Sequence, residues 1–133
     1  MAILKYKKLQ KINLPDEDIA YRLTLREFQC RCRNPECVEV LFSSRLHTSW
    51  NEARKAFKLP LKVNSGFRCL IHNKAVGGKP NSFHTKGEAI DISFVEHPKL
   101  QRERLHKILK EEFDVVLVYA SFFHCHNLPE AGE

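Results

Sequence analysis

Four side chains in the later part of the chain, His84, Asp91, His124 and His126, are of the types that hold a metal ion or move a proton. Two imidazoles and one carboxylate give three protein ligands, the number with which zinc keeps a fourth position open for water. A carboxylate such as Asp91 on a half-buried strand is costly unless it is paired or bound to a cation. With seven histidines among 133 residues, the same spacing also fits ordinary hydrogen-bonded histidines, so residue types alone leave both readings standing.

Periodicity shows which elements must position these groups. Glu88 to Phe94 alternates, with Ile90, Ile92 and Phe94 on one face and Ala89, Asp91 and Ser93 on the other, as a strand does. Ser121 to His126 reads as a second strand, with Phe122, His124 and His126 on one face and Phe123 and Cys125 on the other. As neighbours, these strands would put Asp91 and His124 on one concave surface. His84, near the end of a loop-like stretch over 72–87, could swing into the same place. Val115 to Tyr119 reads as a buried strand, and Leu61 to Asn64 as a short one running into Ser65 and Gly66.

Helices complete the pattern. Thr24 to Glu27 fits a capping box that opens a short helix, broken by Arg33, Asn34 and Pro35. From Val38 the apolar residues Val38, Leu41, Phe42, Leu46, Trp50, Ala53 and Phe57 trace one helical face, a core stripe that Pro60 stops. Pro98 starts another helix whose stripe is Leu100, Leu105, Ile108 and Leu109. The sum is an α+β fold, a small, mainly antiparallel sheet flanked by helices. Residues 1–23, basic and then acidic around Asp16, Glu17 and Asp18, are expected to form an arm outside a single domain spanning 24–133.

Within this frame runs a dense set of fixed residue types: Ser65-Gly66-Phe67-Arg68, then His72-Asn73 and Val76-Gly77-Gly78, then Ser82, His84, Gly87, Ala89, Asp91 and Ile92. The run resembles the signature of the LAS-type zinc peptidases, specifically their D-Ala-D-Ala carboxypeptidase and phage endolysin branch. Phe28, Cys30, Cys32 and the Trp50 helix look like the small variants of that family, and the resemblance spans residues 24–126. It implies a hedgehog/DD-peptidase-like fold, with His84 and Asp91 as the first two zinc ligands. The family's third ligand is a His on a late strand inside an aromatic-aliphatic-His segment, and two bulky residues, Phe122 and Phe123, precede His124. A rival register would make His126 the ligand. Arg68 matches the family's substrate-anchoring arginine, and a salt bridge bracing the loop is its other reading. Ser82 and Tyr119 are placed with it as substrate-binding residues, although Tyr119 also fits a core tyrosine.

The resemblance further implies metal-assisted hydrolysis of peptide bonds in bacterial peptidoglycan, by a D-Ala-D-Ala carboxypeptidase or an endolysin-type endopeptidase acting on stem peptides. One departure stands out. Some branches carry a Glu three residues before the last zinc-ligating His, and here that position is Ser121. His126, on the same strand face as His124, is then the expected proton carrier, against the reading of a surface histidine near the chain end. Loss of the base would leave a non-catalytic zinc-binding module recognising a wall peptide or a protein partner, as in the family's hedgehog relatives.

Five cysteines cannot all pair internally. Cys30, Cys32 and Cys37 cluster, and Cys69 adjoins Arg68, so these four could hold a second, structural zinc. Their spacing lacks paired C-x-x-C units, so reduced, partly buried thiols are the default expectation. Cys125, opposite His124 on its strand, is expected in the core.

Hydrophobic residues at 43% and charged residues at 29% exclude a disordered tail or a membrane protein. With 22 Lys+Arg against 16 Asp+Glu, the net charge of +6 favours polyanionic surroundings, which include a bacterial wall. A nucleic-acid binder would leave the Ser65–Ile92 run unexplained, so no nucleic acid is expected. No apolar run approaches the roughly 18 residues of a membrane span. The basic start, Met1 to Lys8, is followed by no apolar signal region, so a monomer made in the cytoplasm, phage-type, and acting on the wall after release is expected.

Overall fold

Pairing and capping, more than hydrophobic pattern, decide where the elements begin and end. The computed structural model describes residues 2–10 and 14–129; the parts of the expected arm and domain at Met1, 11–13 and 130–133 lie outside the described residues. In chain order the elements are β1 (Ile3–Lys7), β2 (Asp18–Ala20), β3 (Leu23–Thr24), α1 (Leu25–Phe28), β4 (Glu39–Ser43) and α2 (Ser44–Phe57). Then come β5 (Lys62–Ser65), α3 (Leu70–Ala75), a 3-10 turn (Phe83–Lys86), β6 (Ala89–Ser93), α4 (Lys99–Glu112), β7 (Val115–Val118) and β8 (Phe122–His126).

The fold is α+β. A four-stranded antiparallel sheet runs β5-β6-β8-β7, and two small antiparallel pairs, β1 with β4 and β2 with β3, stand beside it. Strands β6 and β8 are neighbours, in a register that sets Asp91 opposite His124 and Ala89 opposite His126. Alternation then sorts the two faces. Ile90, Ile92, Phe123 and Cys125 join Trp50, Phe57, Leu105 and Leu109 in one buried core. Asp91, His124 and His126 project from the opposite face, where the candidate site forms.

Four sequence expectations are corrected. The apolar stripe from Val38 is not one helix: Glu39–Ser43 is β4, paired with β1, and α2 starts only at Ser44. Val40 and Phe42 are buried while Glu39 is exposed and Leu41 half-buried, the period of a strand. Ser43 Oγ accepts from Leu46 N and so caps the helix there. The loop expected over 72–87 contains the last turn of α3 and the 3-10 turn. Leu70 and Ile71 of α3 are exposed, so that helix has no apolar stripe to reveal it. Strand β7 is an edge strand and not a buried one, which leaves Leu117 and Val118 exposed. Leu100 lies outside the packed stripe of α4 at 79% exposure, and Leu105 and Leu109 carry the packing. By contrast, Thr24 caps α1 through the expected capping box with Glu27; the helix ends at Phe28, before Arg33.

Two glycines allow close passage of backbone beneath the site. Gly87 has φ +70°, and a Cβ there would stand 2.1 Å from the Leu41 carbonyl oxygen. Gly66 crosses α1 so closely that a Cβ would meet the Phe28 carbonyl oxygen at 2.4 Å.

Candidate metal centre and cleft

Asp91 lies between two imidazoles. Its Oδ1 is 3.1 Å from His84 Nε2 and 2.9 Å from His124 Nδ1. Strand pairing delivers His124, and the 3-10 turn delivers His84, whose backbone N–H donates to Ser82 Oγ at 3.2 Å. The Arg68 N–H donates to the His84 carbonyl at 3.1 Å and ties the turn to the Ser65–Arg68 segment. His84 is 2% exposed and Asp91 5%. Burial pushes the Asp91 carboxyl up, but hydrogen bonding and charge from His124 and His84 outweigh it and bring the pKa down to about 2.

Which nitrogens are free follows from their partners. His84 Nδ1 is 2.7 Å from the Gly66 carbonyl oxygen, which only accepts, so Nδ1 carries the proton. In the neutral ring, Nε2 is then a lone pair facing a carboxylate oxygen. Two acceptors in contact inside a protein require either a second proton on the ring or a cation between them. One ligand atom each from His84, Asp91 and His124 lie within 4.8 Å of one another, so the donor set fits a small divalent ion. The Gly66 carbonyl would be the outer hydrogen-bond partner that fixes the ligand tautomer.

His126 is not a surface histidine. It is 7% exposed, stacks on Phe83 with ring centroids 4.1 Å apart, and places Nδ1 2.8 Å from His124 Nε2. Burial, followed by the charges of His124 and His84, lowers its pKa to about 4. It lines the cleft beside the converging donors and lies outside their group. Arg68 is held on three sides: Nε donates to Ser65 Oγ at 2.9 Å, Nη1 to Asn73 Oδ1 at 3.2 Å, and Nη2 to Asp91 Oδ2 at 3.4 Å. The bracing salt bridge is therefore present, and the same guanidinium lines the cleft.

The cleft measures about 750 Å³, with Arg68, His84, Asp91, His124 and His126 among its lining residues. Tyr119 also lines it and is 49% exposed, stacked on Phe122 at 4.8 Å, so it is not a core tyrosine. Ser82 reaches the cleft too, with its Oγ engaged by the His84 N–H. Sequence reasoning missed Ser65 and Asn73 as holders of Arg68, and Phe83 as the ring beneath His126. All three lie in or beside the quoted motif, where their types were visible but their partners were not.

All five cysteines are free, with Cys125 buried in the core as expected. The sulfurs of Cys30, Cys32, Cys37 and Cys69 form a second convergent group. Among the described residues, no helix is long and apolar enough to cross a membrane.

A two-histidine, one-aspartate donor set opening onto a cleft is the arrangement of a hydrolytic metal centre. Comparison with known families identifies the class more closely: the family model of Peptidase M15 matches residues 21–126. The chain belongs to that family of zinc-dependent peptidases and is a metallopeptidase-type hydrolase. No curated protein and no solved structure matches it.

Proposed function

We propose that the protein hydrolyses peptide bonds in the stem peptides of bacterial peptidoglycan, as a D-Ala-D-Ala carboxypeptidase or an endolysin-type endopeptidase. His84 Nε2, Asp91 Oδ1 and His124 Nδ1 would hold one zinc ion. The observation that carries this reading is the convergence of two imidazole nitrogens on one buried aspartate oxygen at the edge of an open cleft. A bound zinc would polarise the scissile carbonyl and lower the pKa of its water to about 7.

The protein's own residues do the rest. Arg68, locked by Ser65, Asn73 and Asp91, presents a fixed positive charge to a terminal carboxylate or a developing oxyanion. With His124 Nδ1 committed as a ligand, its Nε2–H donates to His126 Nδ1, and His126 must carry its own proton on Nε2. His126 then offers a neutral N–H to the substrate, as a hydrogen-bond donor to the oxyanion. The stacked Tyr119 and Phe122 rings form a wall for the peptide, and Ser82 holds His84 in place. In the same reading the phage-type chain works as a monomer on an anionic wall after release from the cytoplasm, a setting that its +6 charge favours. Of the expected arm, Ile3–Lys7 is held to the domain by the pairing of β1 with β4, and Ile19, Ala20 and Leu23 are buried in the domain's core.

A second reading has its own observation. Ser121 occupies the position of the family's Glu, and Asp91 is the one carboxylate among the cleft-lining residues described. A zinc-bearing module that binds wall peptide or a protein partner without cutting would have this make-up. Purified protein incubated with muropeptides separates the two. Zinc-dependent loss of intact muropeptide, abolished in His84→Ala together with one equivalent of zinc, is the expected result. Zinc retained with no cleavage of any muropeptide would favour the binding module. Unchanged zinc content in His84→Ala would overturn the metal assignment.

A further inference from the structure

We propose that Cys30, Cys32, Cys37 and Cys69 form a second, closed zinc site with a structural role, independent of the cleft reading. Their four sulfurs lie within 4.8 Å of one another. Cys30 Sγ is 3.7 Å from Cys69 Sγ, and Cys69 Sγ is 3.8 Å from Cys32 Sγ. A tetrahedron with zinc–sulfur arms of ~2.3 Å has edges of about 3.8 Å, so these sulfurs already stand at corner-to-corner spacing. A disulfide would bring two sulfurs to about 2.05 Å and pair them exclusively. Here Cys69 is nearly equidistant from two partners.

The surroundings suit thiolates. The Cys69 N–H donates to Cys30 Sγ and the His72 N–H to Cys69 Sγ, both at 3.4 Å. Lys8 is 5% exposed, and its Nζ donates to the Cys32 carbonyl at 3.0 Å and lies 3.4 Å from Cys32 Sγ. A buried ammonium is costly without a counter-charge. Four thiolates around a divalent ion carry two net negative charges, and Lys8 offsets one of them. No other anionic group is hydrogen-bonded to Lys8 among the described residues. Loading is balanced without redox chemistry: each sulfur gives its proton to solvent and its electron pair to the ion, and no electron is transferred.

The site also adds a tie to a stretch that has no regular secondary structure of its own. Residues 29–38 form neither helix nor strand, yet Cys30 and Cys37 within them are buried. One ion would tie this stretch to Cys69, which caps α3 directly after Arg68, with the Lys8 ammonium beside it. Small domains often use a metal ion in this way where a short segment has little core of its own.

The decisive protein is the full chain carrying His84→Ala and Asp91→Ala, which lacks the cleft donors. Prepared under reducing conditions, it is expected to keep one equivalent of zinc. Replacement by cobalt(II) should give intense thiolate-to-cobalt charge-transfer absorption in the near ultraviolet. Adding Cys32→Ser should abolish both. Should that triple variant fail to fold, the wild-type protein still decides, because a mercurial thiol reagent should release one equivalent of zinc from it for four sulfurs titrated. A natively folded double variant without zinc, or cobalt bound without thiolate bands, would overturn the proposal. Thiolate bands in a wild-type protein that cleaves nothing would sink the hydrolase reading alone.

Discussion

A guanidinium and an ammonium carry the same charge, so the three separate hydrogen bonds on Arg68 are what distinguish it from any other cation at the cleft. Arg68→Lys keeps the charge but cannot reach Ser65, Asn73 and Asp91 together. We expect kcat/KM on muropeptides to fall at least tenfold, about 1.4 kcal/mol of transition-state stabilisation, with zinc content unchanged. A lysine variant at wild-type rate would reduce Arg68 to a brace. His126 calls for a different measurement, because it touches a metal ligand as well as the cleft. If its Nε2–H stabilises charge in the transition state, His126→Ala should lower kcat about 10²-fold, with a smaller effect on KM and with zinc still bound. Loss of zinc in parallel with activity would instead make it a support for His124. The donors themselves were legible in the sequence, because Asp91 and His124 follow a period of two and His84 belongs to a dense motif. Which nitrogen of each ring is free was not legible. That depends on the Gly66 carbonyl and on His126, partners that only the folded backbone brings within reach.

At the level of elements, the junction of β4 and α2 shows how a correct apolar pattern can be attached to the wrong structure. Leu46, Trp50, Ala53 and Phe57 do form a helical stripe, and all four are buried. Leu41 and Phe42 extend it by coincidence, because pairing with β1 claims residues 39–43 as a strand. Ser43 tests the difference. As the N-cap it accepts from Leu46 N at 3.1 Å, so Ser43→Ala should cost ~1 kcal/mol in a denaturant melt. In the interior of one continuous helix the same change would be neutral or slightly stabilising, since alanine is the better helix former. A neutral result would therefore argue for the continuous helix. The strands that build the site were easier to recognise, because β6 and β8 alternate cleanly and pack one face each into the core. Strand β7 has the composition of a buried strand but the position of an edge, and position depends on strand order, which apolarity does not encode. Helix α3 escaped notice for a related reason. Its single buried residue is the polar Asn73, which works for Arg68 and gives no hydrophobic signal.

Across the whole molecule, each of the two donor clusters draws its residues from separate segments of the chain. The cleft group links β6 and β8 to the 3-10 turn, and the cysteine group links residues 30–37 to Cys69 and Lys8. Without ions, the four sulfurs crowd together in one cluster, and in the other His84 needs a second proton to face the Asp91 carboxylate. An ion that binds the folded chain and not the unfolded one stabilises it by about 2.7 kcal/mol at a hundred times its Kd, enough to move Tm by several degrees in a domain of this size. Both clusters should add to this effect, because they share no residue and each would hold its own ion. Stripping the protein with a strong chelator under reducing conditions should therefore lower Tm, and graded return of zinc should restore it. His84→Ala should retain the share of that rise belonging to the cysteines and lose the share belonging to the cleft. A melting temperature indifferent to zinc in the wild-type chain would mean that neither cluster binds the ion in the folded state, and the metal chemistry assigned to both would fall together.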